Sequence, residues 1–386
     1  MLKSIAITAL ASFSSLGNQP ESIWNEYLKS TTAVKERQIG AYHLPVASLP
    51  ASLQQMVADL KASDHKYKSL DHSVLYAMLA SRMAVEQAGW TAKDVFGINI
   101  GSSRGATELF ENFHEEFVTT GKTSTLASPT TTMGNISSWV AHDLKATGPE
   151  ISHSITCSTA LHALLNGVAW LRAGMADKFL IGGSEAPLTP FTLAQMQALK
   201  IYSTDKSDYP CKAFDLEKDK NTMVLGEGAG VVCLEMGRHE KALAYVEGIG
   251  YATDILEHGI SISTEADCFK KSMRMAIGDI PLTEIDAIVM HAPGTIKGDL
   301  SEYKAIQNVF GDNLPMLTTN KWKIGHTFGS SGILSLEMAV FMLQHQQFIP
   351  VPFAKEQPQR KTIRKILVNA VGFGGNAVSV LLSGPL

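Results

Sequence analysis

One cysteine and two histidines stand where residue type and spacing could do chemistry. Cys157 lies in Ser152-His153-Ser154-Ile155-Thr156-Cys157-Ser158-Thr159-Ala160, between the end of a strand over 152–155 and a helix that Gly174 stops. Leu161, Ala163, Leu164, Leu165, Val168, Ala169, Trp170 and Leu171 make that helix apolar almost all round, which marks it as buried. A helix N-terminus lowers a thiol pKa from about 8.5 and favours the thiolate. Its outward amides can also receive an oxyanion. A buried, inert cysteine has the same local pattern, so this stretch alone leaves both readings open.

His291, in Val289-Met290-His291-Ala292-Pro293-Gly294-Thr295, closes an apolar strand at a tight turn. Strand carboxyl ends are where sites gather in open α/β folds. His326, in Lys321-Trp322-Lys323-Ile324-Gly325-His326-Thr327, precedes a second apolar helix as Cys157 precedes the first. The chain has 12 histidines; His114, His142, His258 and His345 are read as structural. A cysteine and two histidines suit a cysteine hydrolase, which needs a base and an orienting acid. They equally suit an acyl-transfer carbon–carbon synthase, which needs donors for an enolate oxygen. Composition and spacing do not choose between them.

The elements that must hold these residues alternate between strand and helix. Strands are expected over 3–10, 96–100, 178–181, within 223–234 after a glycine bend, 241–249, 287–290, 316–319 and within 365–382. Helices are expected over 20–30, 53–60, 70–88, 108–117, 128–144, 160–173, 266–277, 301–309 and 330–344, with 40–65 otherwise irregular. The strand, loop and apolar helix around Cys157 resemble those around His326. The chain therefore reads as two similar halves, 1–240 with the cysteine and 241–386 with the histidines. Alternating strands and helices favour a mixed or mainly parallel sheet covered on both faces.

At 386 residues the chain exceeds the size at which single cores stop growing. Hydrophobic residues at 45% and charged residues at 18% describe a globular enzyme. A net charge of -4 argues against a nucleic-acid binder. None of the four cysteines forms a C-x-x-C pair, and no H-E-x-x-H cluster occurs, so no metal and no cofactor is expected. Gly226-Glu227-Gly228-Ala229-Gly230 runs into a strand, with no G-K-[ST] after it, and so is not a nucleotide loop. Lys3 and the short apolar run 5–10 suit a first strand better than a signal peptide. No run approaches the roughly 18 residues of a membrane span. A cytoplasmic location is expected.

Taken together, these motifs make the chain resemble the β-ketoacyl-acyl carrier protein synthases, decarboxylating condensing enzymes of thiolase fold. The likeness runs from Ile5-Ala6-Ile7-Thr8 to Gly372-Phe373-Gly374-Gly375-Asn376-Ala377. It rests on Thr156-Cys157-Ser158, Val224-Leu225-Gly226-Glu227-Gly228, 291–295 followed by Asp299 and Glu302, 321–326, and the terminal glycine bend. The resemblance implies an α/β thiolase fold, two βαβαβαββ halves packed as a five-layered αβαβα sandwich. It implies Cys157 as the nucleophile that takes an acyl group from acyl carrier protein, with the Cys157 and Phe373 amides as oxyanion hole. His291 and His326 would bind the thioester oxygen of malonyl-carrier protein, and Lys321 would support them. Glu302 matches an acid near the site, Phe373 a gating aromatic, and Thr295 and Thr327 the pantetheine channel. Lys66, Lys68 and Lys212 fall in or near segments that dock the acidic carrier.

Several positions depart from the family pattern. Pro293 replaces a pantetheine-binding Thr, Ser335 a buried Glu linked to a cation in some relatives, and Val371 a Phe. The segment Asp219-Lys220-Asn221-Thr222 lacks a usual glycine. Arg104 stands where relatives line the acyl pocket with a small or apolar residue, and burying a cation beside an alkyl chain is costly. Long saturated chains are therefore expected to be disfavoured. The chain is short for the type and resembles synthases of aryl-polyene-like pathways, which pair with a chain-length-factor subunit. A homodimer or such a heterodimer is expected. A thiolase would need a second cysteine near the terminal glycine bend, but the last is Cys268. A non-catalytic partner subunit would usually lack the cysteine.

Overall fold

Strand β1 (Ile5–Ser14) is buried at every position, as a central strand covered on both faces must be. In the computed structural model, which describes residues 4–133, 135–255, 263, 265–355 and 362–385, it lies mid-sheet. His258 falls outside these residues. After β1 come α1 (Pro20–Leu28), β2 (Lys35–Ile39), β3 (Tyr42–Ala47), α2 (Ala51–Ser63), α3 (His72–Ala88), β4 (Gly97–Gly101) and α4 (Thr107–Thr120). Then follow α5 (Ala127–Thr131), α6 (Asn135–Leu144), β5 (Glu150–Ile151), α7 (Thr159–Arg172), β6 (Lys178–Glu185), α8 (Pro190–Ala198), β7 (Leu225–Gly226) and β8 (Gly228–Met236). The remainder is β9 (Ala244–Thr253), α9 (Asp267–Ile277), β10 (Ala287–Val289), α10 (Ile296–Phe310), β11 (Met316–Thr318), α11 (Lys321–Ile324), α12 (Ser331–His345), β12 (Lys365–Gly372) and β13 (Asn376–Ser383).

Ten strands run in the order β11-β10-β12-β13-β9-β1-β8-β6-β4-β5. The two sides meet at a short antiparallel join, Ile5 facing Val246 and Ile7 facing Ala244. Outward from the join, each side reads antiparallel, antiparallel, parallel, parallel. So β1, β8, β6, β4 and β5 match β9, β13, β12, β10 and β11, and α7 matches α12. Successive side chains on a strand face opposite ways, and this sorts the layers. Phe179 and Ile181 pack with α7 and α12, as do Ile366 and Val368 from the other side. Leu180 turns to α3 and α6, and Leu367 to α9. The result is the five-layered α/β sandwich expected, with the two apolar helices at its centre.

Three local expectations are corrected. The strand before Cys157 ends at Ile151: Ser137 Oγ donates to Ile151 O at 2.6 Å and Ser102 N to His153 O at 3.2 Å, which draws 152–158 into a loop. Residues 40–65 hold half of the β2–β3 hairpin and the full helix α2; residues 35–38 are polar and exposed on both faces, so they show no period. The 128–144 helix is two helices, where Thr130, Thr131 and Thr132 each donate to the carbonyl four residues back. Helix α8, capped by Thr189, was not expected at all.

The central layer carries one costly group. Glu337 on α12 is 2% exposed, and burial pushes its carboxyl up to about 7 against a slight opposing pull from Ser12. Among the described residues both Glu337 oxygens and Ser12 Oγ are buried without a hydrogen-bond partner. Unfolded, the carboxyl loses its proton near 4.5; folded, it keeps it to about 7. The native state binds more protons across that window, so stability falls as pH rises through it and stays lowered above it. Glu337→Gln should therefore unfold later than wild type at about pH 8, by about 3 kcal/mol, and match it below about pH 4.5. Denaturant titrations at the two pH values check this.

Candidate active site

The loop bearing Cys157 is built by its neighbours. Thr159 Oγ1 accepts from Ile155 N at 2.9 Å and donates to Thr156 O at 2.6 Å. The His153 ring bonds Asn99 Oδ1 at 3.0 Å and Thr159 O at 3.2 Å. Thr156 is left-handed at φ 46°, a conformation non-glycine residues rarely adopt. Against this loop lies the end of β12. Thr156 Oγ1 donates to Phe373 O at 3.4 Å, and a Cβ on Gly372 would meet Thr156 Oγ1 at 1.7 Å. Only glycine allows that approach.

His291 follows β10. Glu302 on α10 holds its backbone, accepting from His291 N at 3.0 Å and Ala292 N at 2.8 Å, and from Asn369 Nδ2 at 3.1 Å. His326 is anchored through its main chain: His326 N donates to Val224 O at 2.6 Å and Gly226 N to His326 O at 3.1 Å. The two imidazoles meet edge to face at 5.2 Å between centroids. Both Nδ1 atoms are buried, without a hydrogen-bond partner among the described residues. A cavity of about 210 Å³ brings Cys157, His291, His326, Thr295 and Phe373 together. Met196, Phe328, Val371 and Lys297 also line it. The composition of α8 and the residue two after His326 gave no signal for the first two.

Lys321 and Thr327 are buried and do not line that cavity. Lys321 Nζ donates to Asn320 Oδ1 and to Ser335 Oγ, each at 3.0 Å. Lys66 and Lys68 are exposed; Lys66 lies 3.5 Å from Asp64. Lys212 pairs with Asp205 at 3.1 Å. The site does not include these three lysines. His114 and His345 are exposed and stack on Phe110 and Trp24. Among the described residues no cluster of three or more metal-ligating side chains occurs.

Electrostatics follow from burial. Desolvation holds His326 down to about 3 and His291 well below its ordinary value, with Lys321 adding to both. Both rings are therefore neutral near pH 7 and each offers one N–H and one acceptor. Burial lowers Lys321 to about 8, opposed chiefly by Glu302. Burial, with Glu185, pushes the Cys157 thiol up to about 12, against Lys321 and Arg104, the direction opposite to that of a helix end. Iodoacetamide should accordingly alkylate Cys157 at a rate rising about tenfold per pH unit from 7 to 10, without a plateau. Peptide mass mapping across pH reads it.

The fold and the cavity point to one family. The N-terminal domain model of the β-ketoacyl synthases matches residues 2–240, and their C-terminal domain model matches 243–353. The chain belongs to the β-ketoacyl synthase family. This ketosynthase, a condensing transferase of thiolase fold, is 27% identical over 410 residues to a 3-oxoacyl-[acyl-carrier-protein] synthase 2 of Staphylococcus aureus strain COL, covering 98% of each chain. It is 26% identical over 412 residues to the same-named protein of Vibrio cholerae, again covering 98% of each. Among solved structures, a β-ketoacyl synthase from Burkholderia phymatum superposes with TM-score 0.84 at 21% identity over the whole of both chains. A Xenorhabdus doucetiae ketosynthase in complex with its chain length factor gives 0.82 at 19%, covering 99% and 98%. Among the described residues no helix is long and apolar enough to cross a membrane.

Proposed function

We propose that this ketosynthase joins malonyl-acyl carrier protein to an acyl group held on Cys157, extending a fatty acyl, polyene or polyketide chain by two carbons. The convergence of Cys157 and two neutral imidazoles on one cavity carries this reading. In the first half-reaction the Cys157 sulfur attacks the acyl thioester carbon. The thiol proton goes to the departing pantetheine sulfur, and the new thioester stays on Cys157. The Cys157 and Phe373 amides serve the oxyanion.

In the second half-reaction malonyl thioester enters past Phe373 and Thr295. Its carbonyl oxygen accepts from His291 and His326. The carboxylate bond breaks, carbon dioxide leaves, and the electron pair attacks the acyl-Cys157 carbonyl. The Cys157–carbon bond then breaks to release thiolate, which takes a proton from water. Lys321 adds positive potential near the developing enolate, and Glu302 fixes the His291 turn. Carrier protein is the partner, with Lys66, Lys68 and Lys212 as candidate docking cations, and the assembly is a homodimer or a heterodimer with a ketosynthase-like subunit.

The test is intact mass of enzyme and carrier after incubation with a panel of acyl-carrier proteins, then malonyl-carrier protein. Expected are an acyl adduct on the enzyme and a carrier-bound β-ketoacyl product with loss of carbon dioxide. An adduct that only releases free acid would make the protein a hydrolase. No adduct unless a second ketosynthase-like chain is added would favour the partner-subunit reading.

A further inference from the structure

The cation beside the two imidazoles is held by neutral groups. Lys321 opens α11, and its charge reaches Cys157, His291 and His326. Arg104, another cation near the thiol, donates to Gln195 on α8, lies 5.5 Å from the centroid of Phe328 and does not line the cavity that holds Cys157. Lys321 Nζ donates to Asn320 Oδ1 and Ser335 Oγ, and Ser335 Oγ donates in turn to Asn320 Oδ1 at 3.3 Å. Among the described residues no carboxylate pairs with Lys321. The acids whose charge it feels, Glu302 and Asp299 on α10, are spent elsewhere. Glu302 takes the amides of His291 and Ala292, and Asp299 takes Lys218 at 2.7 Å and Gly294 N at 3.0 Å.

Asn320 is fixed from two sides. An ammonium only donates, so Oδ1 must face Lys321, and Nδ2 then points to α1, donating to Tyr27 Oη at 3.5 Å. Burial and the nearby Glu337 keep the Tyr27 phenol protonated, which makes its oxygen a standing neutral acceptor. The end of α1 is itself tied to α11. Lys323 Nζ donates to Glu26 O and Lys29 O, and Thr32 Oγ1 donates to Trp322 O at 2.8 Å. Tyr27, Asn320, Lys321 and Ser335 are all buried. None of them lines the cavity with Cys157, so Tyr27 and Asn320 can reach the chemistry only through the lysine.

We infer that Asn320, oriented by Tyr27, is a positioning residue for condensation: as a neutral acceptor it fixes the Lys321 ammonium beside the histidine pair without cancelling its charge. The inference rests on the ketosynthase reading above. A carboxylate in the place of the amide would make an ion pair and offset the field that Lys321 exerts on the developing enolate oxygen. An amide leaves that field intact. The cost is a cation that loses its proton readily, since burial lowers Lys321 to about 8. The protonated lysine is the active form, so the condensation rate is level below about pH 8 and falls above it. The other groups facing Lys321 hold their state across that window. Glu302, raised to about 7, is mostly ionised by then, and Asp299 is paired with Lys218. His291 and His326 are already neutral, and Cys211 is held up to about 12. Cys157 carries the acyl group.

The experiment is single-turnover condensation read by mass from about pH 6.5 to about 9.5. Enzyme preloaded with the acyl group that the panel above loads best is mixed with malonyl-pantetheine. Wild type should hold a level rate to about pH 8 and then fall toward tenfold per pH unit. In Asn320→Leu that alkaline limb should move down by about one to two pH units, the worth of one hydrogen bond to a charged group. In Asn320→Asp it should move up by about one to three units, while the rate at neutral pH falls roughly tenfold. Tyr27→Phe, which frees Asn320 to turn, should shift the limb as the leucine variant does, and by less. Loading of Cys157 at neutral pH should stay within a few-fold in all three. The nearly isosteric aspartate variant carries the test if the leucine variant does not fold. A merely structural Asn320 would slow both half-reactions together and leave the limb in place. No alkaline limb in wild type, an unmoved limb in the Asn320 variants, or an aspartate variant as fast as wild type at neutral pH would overturn the inference and leave the ketosynthase reading standing. Failure of wild type to form any β-ketoacyl product would overturn both.

Discussion

Cys157→Ala should take up no acyl group from any carrier, and condensation should fall by at least about 10⁴-fold, the scale on which losing a nucleophile shows. The loss is chemical because little else depends on the thiol. Cys157 is 6% exposed, in the apolar cluster of Met196, Tyr202, Met223 and Phe328. Removing one sulfur there costs about 1 kcal/mol, which leaves a folded protein. The loop geometry comes from Thr156, Thr159 and Gly372, not from the thiol. The other three cysteines serve as internal controls. Cys211 and Cys268, the latter on α9, are fully buried in one apolar cluster with residues of α10, and Cys233 is fully buried in the cluster of α3. Intact mass of wild type should therefore show one acyl group per chain and the variant none, with thermal unfolding unchanged within a few degrees. A variant that still gains an acyl group would place the nucleophile elsewhere.

The Cys157 and His326 positions were legible because the helices after them are apolar all round. Such helices have one place to go, the middle of a layered sandwich, and α7 and α12 fill it as matching elements. The hairpin β2–β3 was illegible because Lys35-Glu36-Arg37-Gln38 exposes both faces and carries no period. The thiol's protonation was left open for another reason. The rule for helix ends is local, while desolvation depends on side chains from several distant segments. The tertiary contacts of Arg104 were hidden with α8, whose Gln195 supplies its acceptor. Lys321 shows the same limit: its buried partners, Asn320 and Ser335, lie one and 14 residues away, on different elements.

His326→Ala should separate the two half-reactions, with loading of Cys157 kept within a few-fold and condensation lowered roughly 100- to 1000-fold, the value of one preorganised oxyanion donor. In the proposed mechanism loading depends on the thiol and the amides beside it. The proposed condensation creates charge on the malonyl thioester oxygen, and both imidazoles line the cavity that would receive it. Burial and Lys321 hold His326 down to about 3, so it donates as a neutral group throughout the working range. The wild-type condensation rate should thus show no step near the ordinary histidine value of about 6.5. Phe328, 5.5 Å from the His326 ring between centroids, faces the space alanine opens, but the main-chain bonds to Val224 and Gly226 keep the turn in place. His326→Asn restores a donor on the same backbone and should recover part of the loss. Single-turnover mass measurements from preloaded acyl-enzyme resolve the steps. If loading falls as far as condensation, His326 takes the thiol proton, and the buried thiol at about 12 then depends on that ring as its base.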